Sequence, residues 1–568
     1  MAGDEVTRTH LLPVSFKLDI PVPSKLFPPR TIPSSTTLFR SGIAFRVPAR
    51  LMASKHQMIR RSVVVGFFAL LGGVSGIVVD TAIAARLGLS HDSDAFYVAF
   101  TVPYIVSNLL TATGQFSLVP FFTWLEARHS EEELWRGFSY VVNLVFLGMV
   151  GLGSAGVLLA PWLVRVVAPG FTHDQTALAT QLTRWLFLLI VPAGVAEVFR
   201  SFLLSRHRFA LPSAAGFVRG ATVILFIILG YGRYGVYSIA YGFVAGNIVQ
   251  LLSLAGETFA RYRVRFSWTI TGEGEAFEKL RGAGTAQLGS AAAWQGVVIL
   301  ERIIASFLPP GTITALNFAQ KIMASLVELL GGSVGTATLP ALSRAVAQED
   351  HQEERRTFQH TLEISLILLM PAVVFCLLFD FHIVRMVFER GSFTRDATVL
   401  MAMVFFCYTL SLLPYSFIRL LTFYLFARNE PQVFLKLSVF AYSLTVGFDL
   451  IFVGLLGMGA KGIPLGMLAG FSITSILIVT RNAGGIRPIL DRTLGSFAAR
   501  NLASGLLTAA TAWSLGGWLK LPLNASDDFV YLCVVCGAGS VVYLVSMAIF
   551  TGMSLNRLVE MWPRQDAS

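Results

Sequence analysis

Long apolar runs of about 20 residues recur along the chain from Ile59 onward, and short polar segments separate them. The runs do not alternate between apolar and polar positions, as the strands of a transmembrane β-barrel would. Inside a bilayer every backbone N–H and C=O needs a partner within the protein, and a helix provides these partners locally. The pattern therefore predicts an all-α polytopic membrane protein with about 14 transmembrane helices.

Recurring residues indicate an internal repeat. Identical residues lie 220 and then 222 positions apart: Ala95, Ala99 and Pro120 recur as Ala315, Ala319 and Pro340, and Phe171, Asp174 and Pro192 recur as Phe393, Asp396 and Pro414. A nearly constant offset over more than a hundred residues predicts two copies of one unit. We expect two pseudo-symmetric six-helix lobes, residues 59–260 and 284–480, related by an axis along the membrane normal.

Polar segments define the rest of the predicted organisation. Residues 1–58 are rich in Pro, Ser, Thr and Arg and are expected to be a disordered or non-native extension, with a targeting peptide as the alternative. Residues 261–283 are expected to be a cytoplasmic joint. Residues 481–551 hold a last pair of helices, and residues 552–568 form a cytoplasmic tail.

Composition agrees with a membrane protein and helps to orient it. Hydrophobic residues make up 54% of the chain, charged residues 14%, and the mean hydropathy is +0.67. In the predicted topology most loop arginines fall on one side, which places both termini in the cytoplasm. The net charge of +11 is then explained by the membrane surface, and no nucleic-acid partner is predicted.

Charged residues inside the predicted spans are candidates for function, because a charge at mid-membrane costs about 2.5 to 3.5 kcal/mol. They are Asp80, Glu197, Arg200, Arg219, Glu301, Arg302, Lys321, Glu328, Arg419 and Asp449. Each has a structural alternative, such as snorkelling to the interface or pairing along a helix, as for Glu197 and Arg200.

Glu301, Arg302 and Lys321 stand out because they occupy the paired helices that open the second repeat. A cationic lining there would suit an anionic head group such as a diphosphate. Counting residues along the two helices predicts that Arg302 and Lys321 lie side by side at similar depth.

A second candidate site centres on Asp449. Thr445 lies one turn before it, and these oxygens, with those of Ser472 and Thr474, could bind a hard cation such as sodium. The alternative is an Asp that is hydrogen-bonded to neighbouring hydroxyls. Sodium or the membrane potential would supply the driving force, and no other cofactor is expected.

Motifs of enzymatic chemistry are missing from the sequence. There is no Walker loop, no G-x-S-x-G, no H-E-x-x-H and no dinucleotide fingerprint. Cys533 and Cys536 form a C-x-x-C within an apolar helix, where packing is the simpler explanation. Gly462, Gly466 and Gly470, spaced four apart, predict close helix packing. The sequence therefore favours a transporter over an enzyme.

Several motifs resemble those of the MurJ/MviN lipid II flippases. Asp80 is followed by Ala85-Arg86-Leu87-Gly88 and by Ser93-Asp94-Ala95-Phe96-Tyr97-Val98-Ala99-Phe100, similar to the first two helices of that family. In the second repeat, 304–308, Gly311, Ala319 and Leu339-Pro340 are similar to its seventh and eighth helices. The chain departs from the family pattern at several positions, and at two of them Gly73 and Val79 replace arginines.

The resemblance implies a member of the MOP exporter superfamily in the bacterial plasma membrane. Such a protein would move an undecaprenyl-diphosphate-linked glycan from the inner to the outer leaflet by alternating access, with the last two helices forming a groove for the prenyl tail. Residues expected to bind the substrate are Lys321, Arg302, Glu301, Asp80, Asp94 and Arg86.

Two alternatives to lipid II transport stay open at this point. One is a flippase for a capsule or exopolysaccharide precursor, and the other is a non-transporting scaffold that binds enzymes of envelope synthesis. Exposure of Lys321 and Arg302 to a cavity would favour transport. Burial of both in fixed ion pairs would favour the scaffold.

Overall fold

A computed structural model of the protein describes residues 72–269, 295–428, 430–481, 492–518 and 525–551. We call 72–269 the N-terminal half and 295–481 the C-terminal half. The predicted extension (1–58), most of the predicted joint and the predicted tail (552–568) lie outside the described residues.

The N-terminal half is a series of helices that run back and forth, as its alternating apolar runs and polar loops predict. The helices are α1 (72–87), α2 (His91–Thr113), the π-helix π1 (Gly114–Leu118), α3 (Val119–Arg128), α4 (Glu131–Val167), α5 (His173–Phe187), α6 (Ile190–Ser205), α7 (Ala210–Tyr234) and α8 (Tyr237–Arg261).

The C-terminal half repeats this plan and is followed by a final helix pair. Its elements are α9 (295–305), α10 (Thr312–Val327), π2 (Glu328–Gly332), α11 (Ser333–Ala347), α12 (His351–Leu378), α13 (Asp380–Phe388), α14 (Arg395–Leu410), α15 (Leu412–Ala427), α16 (Pro431–Asp449), π3 (Leu450–Leu455), a 3₁₀ turn (Gly459–Lys461) and α17 (Gly462–Arg481). The final pair is α18 (Arg492–Trp518) and α19 (Ala525–Thr551).

All regular elements in the described residues are helices, which confirms the predicted all-α fold. Nine of the described helices are long and apolar enough to cross a membrane, or ten if the bent pair α14 and α15, which meet at 50°, is one span. The total of about 14 spans stays a prediction.

Irregularities occur at matching places in the two halves. The second span of each half contains a π-helix, π1 or π2, and the fourth span breaks in its middle, at 188–189 and at Ser411. Thr172 and Thr394, 222 positions apart, each cap the helix that begins the fourth span by accepting a backbone N–H. These features are those expected of a repeat, and the superposition of the halves stays a prediction.

The loops fall at two ends of the bundle. One end, which we call the capped end, contains the loops 88–90, 168–172, 306–311 and 389–394, because each follows a helix that starts at the other end. The opposite end contains the turn after α3, the turn after α6 and the segment after α8. This division is used below to describe depth.

The chain that leaves α8 is fixed to the N-terminal half. In this start of the predicted joint, the Asn143 side-chain amide on α4 donates to the carbonyls of Ser267 and Thr269, each at 3.0 Å. The backbone N–H of Ser267 donates to Ser139 Oγ at 3.1 Å. Residues up to Thr269 are therefore held against α4 by hydrogen bonds to buried side chains.

The glycine spacing in α17 does allow close helix packing, as predicted. A Cβ on Gly466 would lie 2.9 Å from the Asp449 backbone nitrogen, and one on Gly470 would lie 2.7 Å from that of Thr445. Only a residue without a side chain permits this approach. The packing buries Asp449 and Thr445 completely between α16 and α17.

Candidate functional site

The two halves are joined at the capped end by the carboxylate of Asp94. Asp94 lies in the first turn of α2, and its Oδ2 accepts the Gly311 N–H at 2.7 Å. Its Oδ1 accepts the Thr314 N–H at 2.8 Å and the Thr314 hydroxyl at 2.7 Å. A carboxylate at a helix N-terminus satisfies orphan N–H groups and interacts favourably with the helix dipole. Asp94 therefore holds the start of α10 against α2.

Neighbouring loops add backbone contacts between the halves. The Ser392 N–H donates to the Ala85 carbonyl at 2.8 Å, and the Gly170 N–H donates to Ser306 Oγ at 3.1 Å. Gly391 has a φ of +58°, and a Cβ there would collide with the Ala85 carbonyl oxygen. The capped end is thus closed by direct contacts, several of which depend on main-chain atoms and on a small residue.

A polar stripe runs down the second span of the C-terminal half. Its exposed positions include Lys321, Ser325, Glu328, Ser333 and Thr336. Their spacing of three to five residues places them on one face of a helix that has a π-helical turn. Leu329, 53% exposed, interrupts the stripe. Polar side chains at membrane depth usually face the interior of a bundle or a wet cavity, so this face is a candidate wall of a water-accessible space, and we call it the wall.

Lys321 is the best-defined cation on this wall. Its Nζ lies 2.5 Å from Asp80 Oδ2 on α1, and its side chain keeps 43% of its surface exposed, whereas that of Asp80 keeps 7%. The Tyr97 hydroxyl donates to the other Asp80 oxygen at 3.4 Å. Two of the predicted substrate-binding residues, Lys321 and Asp80, are therefore in contact, with the ammonium group accessible and the carboxylate buried.

Two further ion pairs lie along the wall and beside it. Arg419 on α15 contacts Glu328 at 3.1 Å, and both side chains are partly exposed. Arg200 on α6 contacts Glu197 at 3.2 Å, which agrees with the predicted pairing along the helix. Glu197 packs against the π-helix π1, because a Cβ on Gly114 would collide with its carboxylate.

The predicted placement of Arg302 beside Lys321 is wrong. Arg302 is only 6% exposed, and its guanidinium donates to the carbonyl of Ile313 at 3.0 Å. Ile313 precedes Lys321 by eight residues, or about 12 Å along the helix, toward the capped end. Arg302 is thus enclosed and donates to a main-chain carbonyl near the start of α10, where it also interacts electrostatically with Tyr97. Counting residues predicted the helix on which Arg302 lies, but it could not predict the direction of the side chain.

The other predicted substrate ligands do not lie together with Lys321 in one site. Asp94 is 3% exposed and fully engaged with α10, so it is not accessible to a ligand in this conformation. Arg86 is exposed at the capped end, where its guanidinium lies 5.4 Å from the Tyr231 ring centroid. Glu301 is half-buried, accepts a hydrogen bond from the Gln320 side chain and interacts electrostatically with Asp449.

Asp449 is buried without a hydrogen-bonding partner among the described residues. Both carboxylate oxygens lack a donor, and the residue is 0% exposed. The hydroxyls that the sequence offered as partners donate elsewhere, that of Thr445 to the Ala441 carbonyl at 3.1 Å and that of Thr474 to the Gly470 carbonyl at 2.7 Å. The hypothesis of an Asp satisfied by neighbouring hydroxyls is therefore wrong.

An apolar cavity of about 300 Å³ lies between α12, α15, α17 and α18. Its lining is almost entirely aliphatic and aromatic and includes Leu366, Phe417 and Leu494. Leu494 lies in the first turn of α18, so the cavity is close to the end opposite the capped end. Helix α18, the first of the final pair, thus helps to build an apolar space.

Sequence reasoning missed the partners of Asp94. Gly311 and Thr314 contribute mainly backbone N–H groups, which leave no chemical signature in a sequence. One signal was present, since glycine is among the residue types favoured at a helix N-cap, and Gly311 is the N-cap of α10. Gly311 has a φ of +85°, and a Cβ there would lie 2.6 Å from that of Leu89.

Comparison with known proteins identifies the family. The model of the family described as "Lipid II flippase MurJ" matches residues 83–519. The lipid II flippase MurJ of Burkholderia cenocepacia is 25% identical over 449 residues, which are 76% of this chain and 85% of that protein.

Solved structures agree with this fold. A lipid II flippase MurJ in an inward closed conformation superposes with a TM-score of 0.70 at 19% identity, covering 87% of this chain and 99% of that one. An inward-facing MATE transporter of the MOP superfamily gives a TM-score of 0.64 at 15% identity, covering 75% and 98%. Because the family model spans most of the 568 residues, the chain belongs to the lipid II flippase MurJ family.

Proposed function

We propose that this protein moves lipid II from the inner to the outer leaflet of a bacterial plasma membrane by alternating access. The observation that carries the proposal is the pairing of a closed capped end with a polar wall inside the membrane. The arginine bias of the loops assigns the capped end to the outside. In the conformation described here, the substrate would then enter from the cytoplasmic side.

Lys321 would bind the diphosphate of the head group. Its ammonium group is accessible and is held in place by a buried carboxylate, which orients it without enclosing it. An arriving diphosphate would compete with Asp80 for the same cation. That exchange would loosen the contact between α1 and α10, two helices that meet across the halves.

The prenyl tail would lie in the apolar cavity beside α18. An apolar space formed with the final helix pair keeps the tail out of the polar wall region. Burial of each CH₂ group of such a tail contributes about 0.8 kcal/mol. The tail would therefore contribute much of the binding affinity. Binding of the head group would change the contact between the two halves.

Sodium would be the coupling ion, held by Asp449 and Thr445. Two unpartnered carboxylate oxygens in a fully buried position are costly unless a cation or proton satisfies them. Nearby Glu301 adds a second negative group. Hard oxygen ligands suit sodium, and the ion would supply charge neutralisation at this place.

The function is tested by complementation in cells depleted of their lipid II flippase, together with a leaflet assay for lipid II. Wild-type protein should restore growth and outer-leaflet lipid II. Lys321→Ala should lose both, because one charge-assisted contact is worth about 1.5 to 3 kcal/mol, or roughly tenfold to a hundredfold in binding. Lys321→Arg should retain activity, since it keeps the cation.

Matched controls separate the outcomes. Arg390→Ala removes an exposed cation at the capped end and should leave transport unchanged. Rescue by Lys321→Ala at the wild-type level would remove Lys321 from the head-group site. Failure of well-inserted wild-type protein to restore lipid II in the outer leaflet would instead favour another lipid-linked glycan or the scaffold.

Sodium binding is tested on purified protein by thermal unfolding at constant ionic strength. Replacing potassium by sodium should raise the unfolding temperature of the wild type, because a ligand stabilises the state that binds it. The rise should vanish in Asp449→Asn and persist in Asp92→Asn, an exposed control. A sodium effect that survives Asp449→Asn would place the ion elsewhere.

A further inference from the structure

Arg219 lies on α7 and points into the N-terminal half. The lipid-facing side of α7 is marked by large exposed apolar residues, among them Phe217 (45%), Leu225 (52%) and Ile228 (60%). Arg219 follows Phe217 by two residues, about 200° around the helix, and its side chain packs against α8, because a Cβ on Gly246 would lie 3.1 Å from Arg219 Cγ. It is nevertheless exposed. Its guanidinium therefore faces a water-accessible crevice within the helices.

Arg219 has no carboxylate partner of its own. Among the described residues no acceptor lies within hydrogen-bond or ion-pair distance of its guanidinium. The groups that interact with it electrostatically are Tyr104 on α2 and the pair of Arg200 and Glu197 on α6. Tyr104 is itself 47% exposed. Arg219 therefore belongs to a polar crevice lined by α2, α6 and α7.

The charge balance singles out Arg219. Lys321 is paired with Asp80, Arg419 with Glu328, and Arg200 with Glu197, so each of these three contacts is neutral as a unit. Arg219 and Arg200 share the single carboxylate of Glu197, so one positive charge is left over in this crevice. An uncompensated charge at membrane depth is costly, and such residues usually mark the path of a substrate or ion.

Helix α1 relates the depth of Arg219 to that of Lys321. A Cβ on Gly220, next to Arg219, would lie 2.9 Å from Ser75 Oγ, so this part of α7 packs beside Ser75. A Cβ on Gly76 would lie 4.0 Å from Lys321 Nζ. Because Nζ also contacts Asp80, the two cations lie within about one helical turn, or about 5 Å, in depth.

We infer that Arg219, with Arg200 beside it, forms an anion subsite in the N-terminal half that binds a phosphate of the prenyl-diphosphate substrate, while Lys321 binds from the C-terminal half. This inference rests on the proposed function. A guanidinium donates several hydrogen bonds in a planar array that matches phosphate oxygens. The diphosphate would then bridge the two halves, and it would supply the negative charge that Arg219 lacks.

The test measures binding and transport in parallel. Purified protein in nanodiscs is titrated with undecaprenyl diphosphate, and with inorganic pyrophosphate and phosphatidylglycerol as separate probes. Arg219→Gln should weaken binding of undecaprenyl diphosphate roughly tenfold to a hundredfold, and Arg219→Lys should weaken it less. Arg233→Ala, near the end of the same helix, is the matched control and should bind as the wild type does.

The outcomes distinguish this subsite from the proposed function. If the wild type transports lipid II and Arg219→Gln binds the diphosphate as tightly as the wild type, the subsite is wrong and the function stands. If Arg219→Gln weakens phosphatidylglycerol binding as much as diphosphate binding, the site takes a phospholipid head group and the inference is overturned. If diphosphate binding depends on Arg219 but lipid II is not transported, the subsite stands and the transported glycan must be reassigned.

Discussion

Substitution of Asp94 should open the capped end. Its carboxylate accepts three hydrogen bonds from α10 and the turn before it, two on Oδ1 and one on Oδ2. An asparagine amide has one acceptor oxygen, and its NH₂ group would face a donor at the other position. At least one backbone N–H, that of Gly311 or of Thr314, therefore loses its acceptor in Asp94→Asn.

The size of the effect follows from these contacts. A hydrogen bond to a charged group contributes about 1.5 to 3 kcal/mol, and 1.4 kcal/mol is a factor of ten in an equilibrium constant. Asp94→Asn should thus shift the equilibrium toward an open capped end roughly tenfold to a hundredfold. Asp94→Ala loses all three bonds and should shift it more than a hundredfold by the same reasoning.

Cross-linking across the capped end measures this shift. Ala85→Cys places a thiol in the last turn of α1, and Ser392→Cys places one in the loop 389–394; the two backbones are joined there by a 2.8 Å hydrogen bond. The background is a chain whose native cysteines have been replaced by serine: Cys376, Cys407, Cys533 and Cys536. The rate of disulfide formation is proportional to the closed fraction, so it should fall in Asp94→Asn, by at most the factor of the equilibrium shift.

Asp92→Asn is the matched control, because Asp92 lies in the same first turn of α2 but is exposed. It removes the same charge near the helix N-terminus without removing a contact between the halves. Cross-linking in Asp94→Asn at the rate seen in Asp92→Asn, with both proteins folded, would refute the reasoning. The loops alone would then close the capped end.

Two other contacts give predictions of their own. Gly391→Ala should also slow cross-linking at the capped end, because its Cβ would collide with the Ala85 carbonyl at a φ of +58°, whereas Gly447→Ala, where a Cβ meets open space, should not. Arg385 on α13 and Asp528 on α19 form a buried pair at 2.5 Å, so Asp528→Ala should destabilise the purified protein by about 3 to 5 kcal/mol in thermal or denaturant unfolding. Much of that loss should be recovered when Arg385→Met and Asp528→Leu are combined, and a single-variant effect below about 1 kcal/mol would contradict the assigned burial.

The fold could be predicted from the sequence, because the apolar runs that specify membrane-spanning helices do not depend on how the helices pack. Apolar runs predict helices in lipid whatever their neighbours are. The breaks at Ser411 and in π2 were not predicted, because the hydropathy of an apolar run is the same whether the helix is straight or kinked. Breaks depend on local hydrogen bonding, which hydropathy does not encode.

The site was only partly accessible, because the rotation of a helix about its axis decides which side chains meet. Lys321 and Asp80 were both predicted and do meet. Arg302 was predicted beside them but points toward the capped end. Asp94 was predicted as a substrate ligand, and in this structure it accepts two main-chain N–H groups and the Thr314 hydroxyl. Main-chain donors are present at almost every residue and cannot be recognised from residue type.

The closure of the capped end relies largely on main-chain donors and acceptors, with Ala85 and Ser392 joined through backbone atoms alone. Such contacts persist when side chains change, provided that the few small residues stay small. The wall around Lys321 consists of side chains, so each substitution there changes its contacts directly. The closure of the capped end and the polar wall are therefore encoded in separable chemistry, so a lineage can change the side chains of the wall while it keeps the same main-chain contacts at the capped end.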